Sequence, residues 1–375
     1  MMFNLFKKIK QTDLIVYLST AFLLIWSVIN IYSASYHEYS NLYIKQIVFV
    51  SIAFFIITFL PFLIEYRKFG YISFYLYLVS VILLILVKFF GVSILGAKRW
   101  INLGFFQLQP SEVAKFSTII FSAYFISNTK LPLSFKDFLK IMGLSAIPFM
   151  LIYSQPDLGS AILVVLPVLV MVFLAKFNIK YIIGFVLIGI ILSPFIWTHL
   201  KDYQKNRIIA FLNPESDPKG TAYHIIQSKI AIGSGMLTGK GYLQGSQSKY
   251  YFLPEQHTDF IYATIGEEWG FVVSFLILTV YFILSLRIFY IGMKTNELFG
   301  KFLCYGIASI IGFQAFINIA MNVGMAPVVG VPLPFLSYGG TALIMFSLMI
   351  MIVLNIEYIN KKEGFRFHSQ DALNY

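Results

Sequence analysis

Cysteine and charge are scarce in this sequence. One cysteine, Cys304, stands in an apolar run, so there is neither a disulfide framework nor a CxxC redox or zinc site. The five histidines (His37, His199, His224, His257, His368) show no metal-type spacing such as HExxH. Charged residues make up 12% of the 375-residue chain, against about 25% in an ordinary soluble domain. Apolar mass takes their place, at 58% hydrophobic. A globular chain of this length runs out of interior for so much apolar surface, and a disordered chain would lack it. The solvent for most of this protein is therefore lipid. The net charge of +11 arises from basic residues scattered in short clusters between apolar runs. That is the distribution of membrane topology, and nucleic acid is not an expected partner.

Crossing a bilayer core of roughly 30 Å takes about 20 apolar residues in a helix, which satisfies its own peptide groups. Such runs lie near 13–34, 42–64, 70–90, 111–127, 137–153, 158–175, 179–197, 260–286, 301–324 and 337–357. The first is too long for a cleaved signal peptide and is followed by further spans. The expected fold is an all-α polytopic membrane protein of about ten transmembrane helices, a single integral membrane domain over 1–375. Basic residues set the orientation. With the N-terminus inside, the inner segments hold Lys7, Lys8, Lys10, Arg67, Lys68, Lys130, Lys136, Lys140, Lys176, Lys180, Arg287, Lys294, Lys301, Lys361, Lys362 and Arg366, whereas the short outer loops hold only Lys98 and Arg99. N-in and C-in follows.

Residues 198–259 then form a large extracytoplasmic loop. Its Gly and aromatic residues alternate with short amphipathic pieces such as Ala222–Ile232, the pattern of an ordered cap lying on the membrane. No internal repeat supports a transporter built on inverted repeats.

In lipid, the informative residues are the ionisable ones. Lys98, Arg99 and Trp100 lead to Glu112 and Lys115, which at i, i+3 share a helix face and can pair. This group reads either as an interfacial anchor with a structural ion pair or as an outward cationic site suited to phosphate. Asp157, after Pro156 and before an apolar run, is a good helix N-cap. Gly233, Gly235, Gly239, Lys240 and Gly241 form a glycine-rich stretch that is not a P-loop, since Gly241 stands where Ser or Thr is required; a plain flexible turn is the simpler reading. Glu255, His257 and Asp259 precede the run from Phe260, and Asp259 could cap that helix. Glu267 and Glu268 lie about two turns further, roughly 12 Å, and at about 80° and 180° from Asp259, so partners on other helices are expected. Last, the prolines and glycines of the stretch from Ala326 through Ser337 to Gly340 break the helix near the outer interface. The four clusters all map to the outer half of the membrane. Without a reactive thiol or metal-ligand set, what remains is carboxylates for proton transfer and Lys or Arg for a developing anion.

The strings GAKRWINLG, QPSEVAK, QPDLGSA, FLNPESDPKGTAYHIIQSKIAIGSG, GKGYLQGSQSKYYFLPEQHTDFIYATIGEEWG and NVGMAPVVGVPLPFLSYGG resemble the SEDS family of shape, elongation, division and sporulation proteins, over residues 12–357 and most closely its rod-shape elongation branch. The resemblance implies a peptidoglycan glycosyltransferase that polymerises lipid II on the outer face of the cytoplasmic membrane as part of the elongation machinery. It implies Asp259 as the essential acid, with Glu112, Lys115 and Asp157 important and Arg99 and Trp100 nearby. It also implies a class B penicillin-binding protein as transpeptidase partner. Lys240, His257 and Ser337 complete the substrate-binding candidates. Family members commonly carry Leu where this chain has Trp269.

In the reaction so implied, Asp259 takes the proton of the acceptor hydroxyl as general base, its pKa raised by a half-buried setting. Lys115, Arg99 or a divalent cation (Mg or Mn) stabilises the leaving pyrophosphate, with Glu112 positioning Lys115. No ligand set for a cation is visible. Two other classes stay open. A lipid II flippase would need ionisable residues through the full membrane depth, and a non-catalytic scaffold for the penicillin-binding protein would tolerate loss of Asp259 and Lys115.

Overall fold

The computed structural model describes residues 11–36, 41–94, 97–104, 106–191, 193–200, 202–214, 220, 222–250 and 252–371. Lys7, Lys8 and Lys10 of the orientation argument, His37 and residues 215–219 of the FLNPESDPKG string lie outside the described residues.

Helices occupy all ten apolar runs. They are α1 (Leu14–Tyr36), α2 (Leu42–Phe59, continued by a tight turn Leu60–Phe62), α3 (Arg67–Phe90), α4 (Pro110–Ser127), α5 (Phe135–Ser154), α6 (Leu158–Leu174), α7 (Ile179–Ile191), α12 (Ile261–Lys294), α13 (Leu298–Asn322) and α14 (Gly340–Asp371). Among the described residues six of them, α1, α2 with its extension, α3, α12, α13 and α14, are long and apolar enough to cross a membrane, so the expected count of about ten spans is not reached by length and composition. The local signals are ordinary helix chemistry. Pro110 occupies the first turn of α4, where its missing N–H costs nothing. Ser134 Oγ accepts from Asp137 N at 3.2 Å to start α5, and Asp157 Oδ1 accepts from Ser160 N at 3.1 Å to start α6.

The bundle is sorted by burial. In the apolar stretches of α13 and α14, 72% and 61% of residues are buried, against 28% in α2, α3 and α12, so α13 and α14 form the centre. α13 packs against α12, α6 and α4, and α14 against α2 and α4. The outward faces of α3 and α12 carry Tyr71, Tyr75, Phe271, Phe275 and Phe282, all more than half exposed, as lipid-facing side chains should be.

One connection departs from the sequence reading, and the long loop is ordered into short helices as expected. The chain is not helical throughout, because three short strands form a small antiparallel sheet, β1 (Val92–Ile94), β2 (Ala97–Asn102) and β3 (Gln107–Leu108). Val92 faces Trp100, and Ile101 faces Leu108, β-branched and aromatic pairs that suit a pleated surface. Between α7 and α12 the long loop carries α8 (Ser193–His199), α9 (Asp202–Leu212), α10 (Tyr223–Ser234) and α11 (Ser246–Lys249).

The 34-residue α12 is broken at Gly270, whose φ of 71° and ψ of −169° no L side chain adopts comfortably. The glycine-rich stretch, expected as a flexible turn, fills this break. Lys240 N and Gly241 N donate to the carbonyls of Glu267 and Glu268, each at 3.0 Å, while Phe271 N and Val272 N donate to the carbonyls of Met236 and Leu237 at 2.9 and 3.2 Å. Side chains cannot fit in this joint: a Cβ at Gly239 would lie 2.1 Å from Glu268 O. The loop thus satisfies the peptide groups that the break exposes, the condition for irregular backbone beside lipid. The part beyond the break, 271–294, is roughly 36 Å long at about 1.5 Å per residue and can span the membrane alone.

Candidate active site

Asp259 lies in the turn before α12, outside the spanning segment, and its position is fixed by three consecutive carbonyls. His257 O accepts from Tyr338 N at 2.9 Å, and Thr258 O from Ser337 Oγ at 2.6 Å. Asp259 O accepts from Asn318 Nδ2 at 2.9 Å and Asn322 Nδ2 at 3.0 Å. The carboxyl itself is half-buried, and a methyl group at Gly330 would sit 3.3 Å from its Oδ2. Loss of surrounding water pushes its pKa up from the ordinary carboxylate value to about 7. The negative charges of Glu255 and Asp157 push the same way, against Arg207 and Arg99.

The Arg99–Asp157 corner borders this turn. Asp157 is buried at the start of α6, and Gly159 lets that helix approach Val329 and Val331, where a Cβ would meet Val331 Cγ2 at 2.5 Å. Arg99, on β2, donates from Nε to Gln155 O at 3.0 Å and from Nη2 to Pro156 O. Its Nη1 is 4.0 Å from Asp157 Oδ2. The guanidinium is held by carbonyls at the α5–α6 corner and remains a quarter exposed, so it keeps capacity for an anion. Beside the turn, Trp100, Lys45, Glu255, His257, Thr258 and Tyr338 line a cavity of about 410 Å³, a size that suits a sugar-sized group.

The remaining candidates sit differently from the expectation. Lys115 and Glu112 pair at 2.7 Å, but both are 1% exposed. The ammonium also donates to Gln314 Oε1 at 2.7 Å and lies over the Phe346 ring at 5.6 Å. It faces the packed centre of the bundle, not an outward phosphate site. Its link to the site is indirect: Gln314 Nε2 donates to Pro332 O at 2.9 Å, in the same loop as Gly330. Ser337 Oγ is spent inside the protein, donating to Thr258 O and accepting from Leu333 N at 2.7 Å. Lys240 pairs with fully buried Glu267 at 2.6 Å, where Ser246 N at 2.9 Å and Gln247 N at 3.2 Å also bind the carboxylate. Glu268 accepts from Ser33 Oγ on α1. The two acids therefore find partners on other elements, as their depth required, but Lys240 belongs to the helix-break joint. Asp259, Arg99, Asp157, Trp100 and His257 come together around one turn; Lys115, Glu112, Ser337 and Lys240 support it from behind or lie apart. Among the described residues, no three His, Cys, Asp or Glu side chains gather to hold a metal ion.

Sequence reasoning missed Gln314, Asn318 and Asn322. The signal was present, since three amides at i, i+4 and i+8 stripe one face of an otherwise apolar helix.

A model of the FtsW/RodA/SpoVE cell cycle proteins matches residues 10–362. The chain belongs to the FtsW/RodA/SpoVE family. Among curated relatives, the peptidoglycan glycosyltransferase MrdB of Escherichia coli K12 is 44% identical over 283 residues, covering 75% of this chain and 76% of the relative. A probable peptidoglycan glycosyltransferase FtsW of Trichlorobacter lovleyi is 36% identical over 366 residues, covering 93% and 94%. Among solved structures, a chain of a peptidoglycan synthase complex matches with a TM-score of 0.80 at 27% identity, covering 93% of this chain and 98% of that one. The rod shape determining protein RodA of Thermus thermophilus matches at 0.67 and 26%, covering 92% and 96%. This FtsW/RodA/SpoVE member is a multi-pass membrane protein with the RodA-like fold. Its Trp269 packs against Trp26 and Tyr242, ring centroids at 5.2 and 5.7 Å, so the larger side chain braces the break rather than touching Asp259.

Proposed function

We propose that this chain is a peptidoglycan glycosyltransferase that polymerises lipid II on the outer face of the bacterial cytoplasmic membrane during elongation and shape maintenance. The observation that carries the reading is Asp259, a half-buried carboxyl with a pKa of about 7 in a turn clamped at three successive carbonyls. A base near neutrality is what removing a proton from a sugar hydroxyl requires. The acceptor is the GlcNAc 4-hydroxyl, and the donor is the α-linked MurNAc pyrophosphate. Asp259 takes the hydroxyl proton as the new C1–O bond forms with inversion. The C1–O bond to pyrophosphate breaks, and undecaprenyl pyrophosphate departs with the electron pair.

Arg99 and Arg207 supply positive charge around the same carboxyl, placed to offset the developing anion. Asp157 orients Arg99, and the cavity beside Trp100 and His257 receives a sugar-pyrophosphate portion of one substrate. Glu112 and Lys115 act through Gln314 and the loop bearing Gly330. N-in and C-in topology puts the turn outside, where lipid II is used. A class B penicillin-binding protein is the expected crosslinking partner; the similarity to a chain of a peptidoglycan synthase complex supports it.

The test is lipid II polymerisation by the purified full chain with its transpeptidase partner, wild type against Asp259→Ala, read as glycan length on a gel. Polymer from wild type and none from a folded variant is expected. Equal polymer from both would move the base elsewhere. No polymer from wild type, beside an active control polymerase, would return the flippase and scaffold readings.

A further inference from the structure

We propose that Asn318 and Asn322 are positioning residues for Asp259, an inference that rests on the reading of Asp259 as the general base. Both side chains are completely buried, and their hydrogen-bond groups are spoken for. Asn318 Nδ2 donates to Asp259 O at 2.9 Å and to Val331 O at 2.7 Å. Asn322 Nδ2 donates to Asp259 O at 3.0 Å and to Asn318 O at 2.8 Å. Asn322 Oδ1 accepts from Ala263 N at 3.2 Å, capping α12, whose own N-terminal residue Phe260 supplies no side-chain cap.

A carbonyl oxygen has two lone pairs, and both amides converge on the one that Asp259 carries. Through Asn318 the same contact reaches Val331, the neighbour of Gly330, which faces the carboxyl oxygen. The amide of Asn318 therefore ties the backbone behind the carboxyl to the wall in front of it. An amide kept only to satisfy a helix carbonyl would have no reason to bridge these two segments. The expected consequence is geometric. Without the bridge the turn and the Gly330 wall separate, and displacing a reacting group by about 1 Å costs on the order of 100-fold in rate.

The experiment compares wild type, Asn318→Leu, Asn318→Gln and Asp259→Asn as full chains with the transpeptidase partner, measuring lipid II kcat, KM and the pH profile. Asn318→Leu leaves Asn322 on the Asp259 carbonyl, so the turn keeps one of its two amide donors. It is expected to lose about 30-fold or more in kcat with KM within about twofold. The acid limb should move to lower pH, because a freed carboxyl regains water while Glu255, Asp157, Arg99 and Arg207 still face it. Asn318→Gln, with both donors on a longer stem, should recover part of the rate. The positioning role is overturned if Asn318→Leu keeps kcat within about threefold of wild type. It is equally overturned if the rate falls only in proportion to folded protein with the acid limb unmoved. Should Asn318→Leu not fold, Asn318→Ser, which leaves room for a bridging water, replaces it, and the same two outcomes support or overturn the role. Full rate in Asp259→Asn would overturn the base assignment itself, whereas an inactive Asp259→Asn beside a normal Asn318→Leu would remove only the positioning role.

Discussion

Asp259 couples catalysis to stability. The folded protein holds this carboxyl's proton up to a pH of about 7, whereas an unfolded chain releases it near the ordinary carboxylate value of about 3.9. A raised carboxyl pKa therefore contributes stability that is complete below the unfolded value and is lost as pH climbs through the folded one. Asp259→Asn, neutral at every pH, should unfold at a higher temperature than wild type at pH 8, with the gap narrowing toward pH 4.5. A gap that stays constant with pH would refute the assigned shift. In wild type the polymerisation rate should fall about tenfold per pH unit below the acid limb near 7.

The buried Lys115–Glu112 pair offers a sharper test of role. Removing one partner from a buried pair strands a charge and costs about 3–5 kcal/mol, while replacing both by apolar residues is often neutral. Lys115→Met alone should therefore destabilise strongly in thermal unfolding, and Lys115→Met with Glu112→Leu should recover. Polymerase activity that returns with the fold would show that Lys115 never touches the pyrophosphate. These residues also mark what the sequence could disclose. Asp259, Asp157 and Arg99 were legible, because charge beside an apolar run demands an explanation. The inward aim of Lys115 was not, since i, i+3 spacing fixes a shared face but not which way that face looks. The amides at 314, 318 and 322 carry no charge, and a search for ionisable groups passes over them.

At the scale of elements, the helical bundle could be read from apolar runs, although among the described residues only six helices are long and apolar enough to cross a membrane. The three-stranded sheet could not be read this way. Its strands are two to six residues long, too short for an alternation to stand out. The joint at Gly270 was equally hidden, because its backbone bonds run between segments about thirty residues apart and leave no local pattern. That joint makes a strong prediction. A Cβ at residue 270 would lie 2.3 Å from Gly239 N on a backbone that only glycine adopts readily. Gly270→Ala should cost about 3 kcal/mol or more, seen as a lowered unfolding temperature of the purified protein. An unchanged midpoint would mean that the loop does not lock the break.

For the whole molecule, topology is open to direct measurement. Cys304 is fully buried, so an introduced cysteine can be labelled over a quiet background. With N-in and C-in, Lys98→Cys should react with a membrane-impermeant maleimide added to intact spheroplasts, and Lys130→Cys only after lysis. The reverse pattern would invert the orientation and place the Asp259 turn inside, away from its proposed substrate.

The broken helix also bears on how the chain is assembled. Synthesis proceeds from the N-terminus, so the 235–241 loop emerges before residue 270 and before the 271–294 segment. The half-helix 261–269 can then dock onto a waiting template instead of searching for one. Polypeptide order thus supplies the template for the Gly270 break first, whereas the groups that clamp the Asp259 turn, Asn318, Asn322, Ser337 and Tyr338, emerge after it.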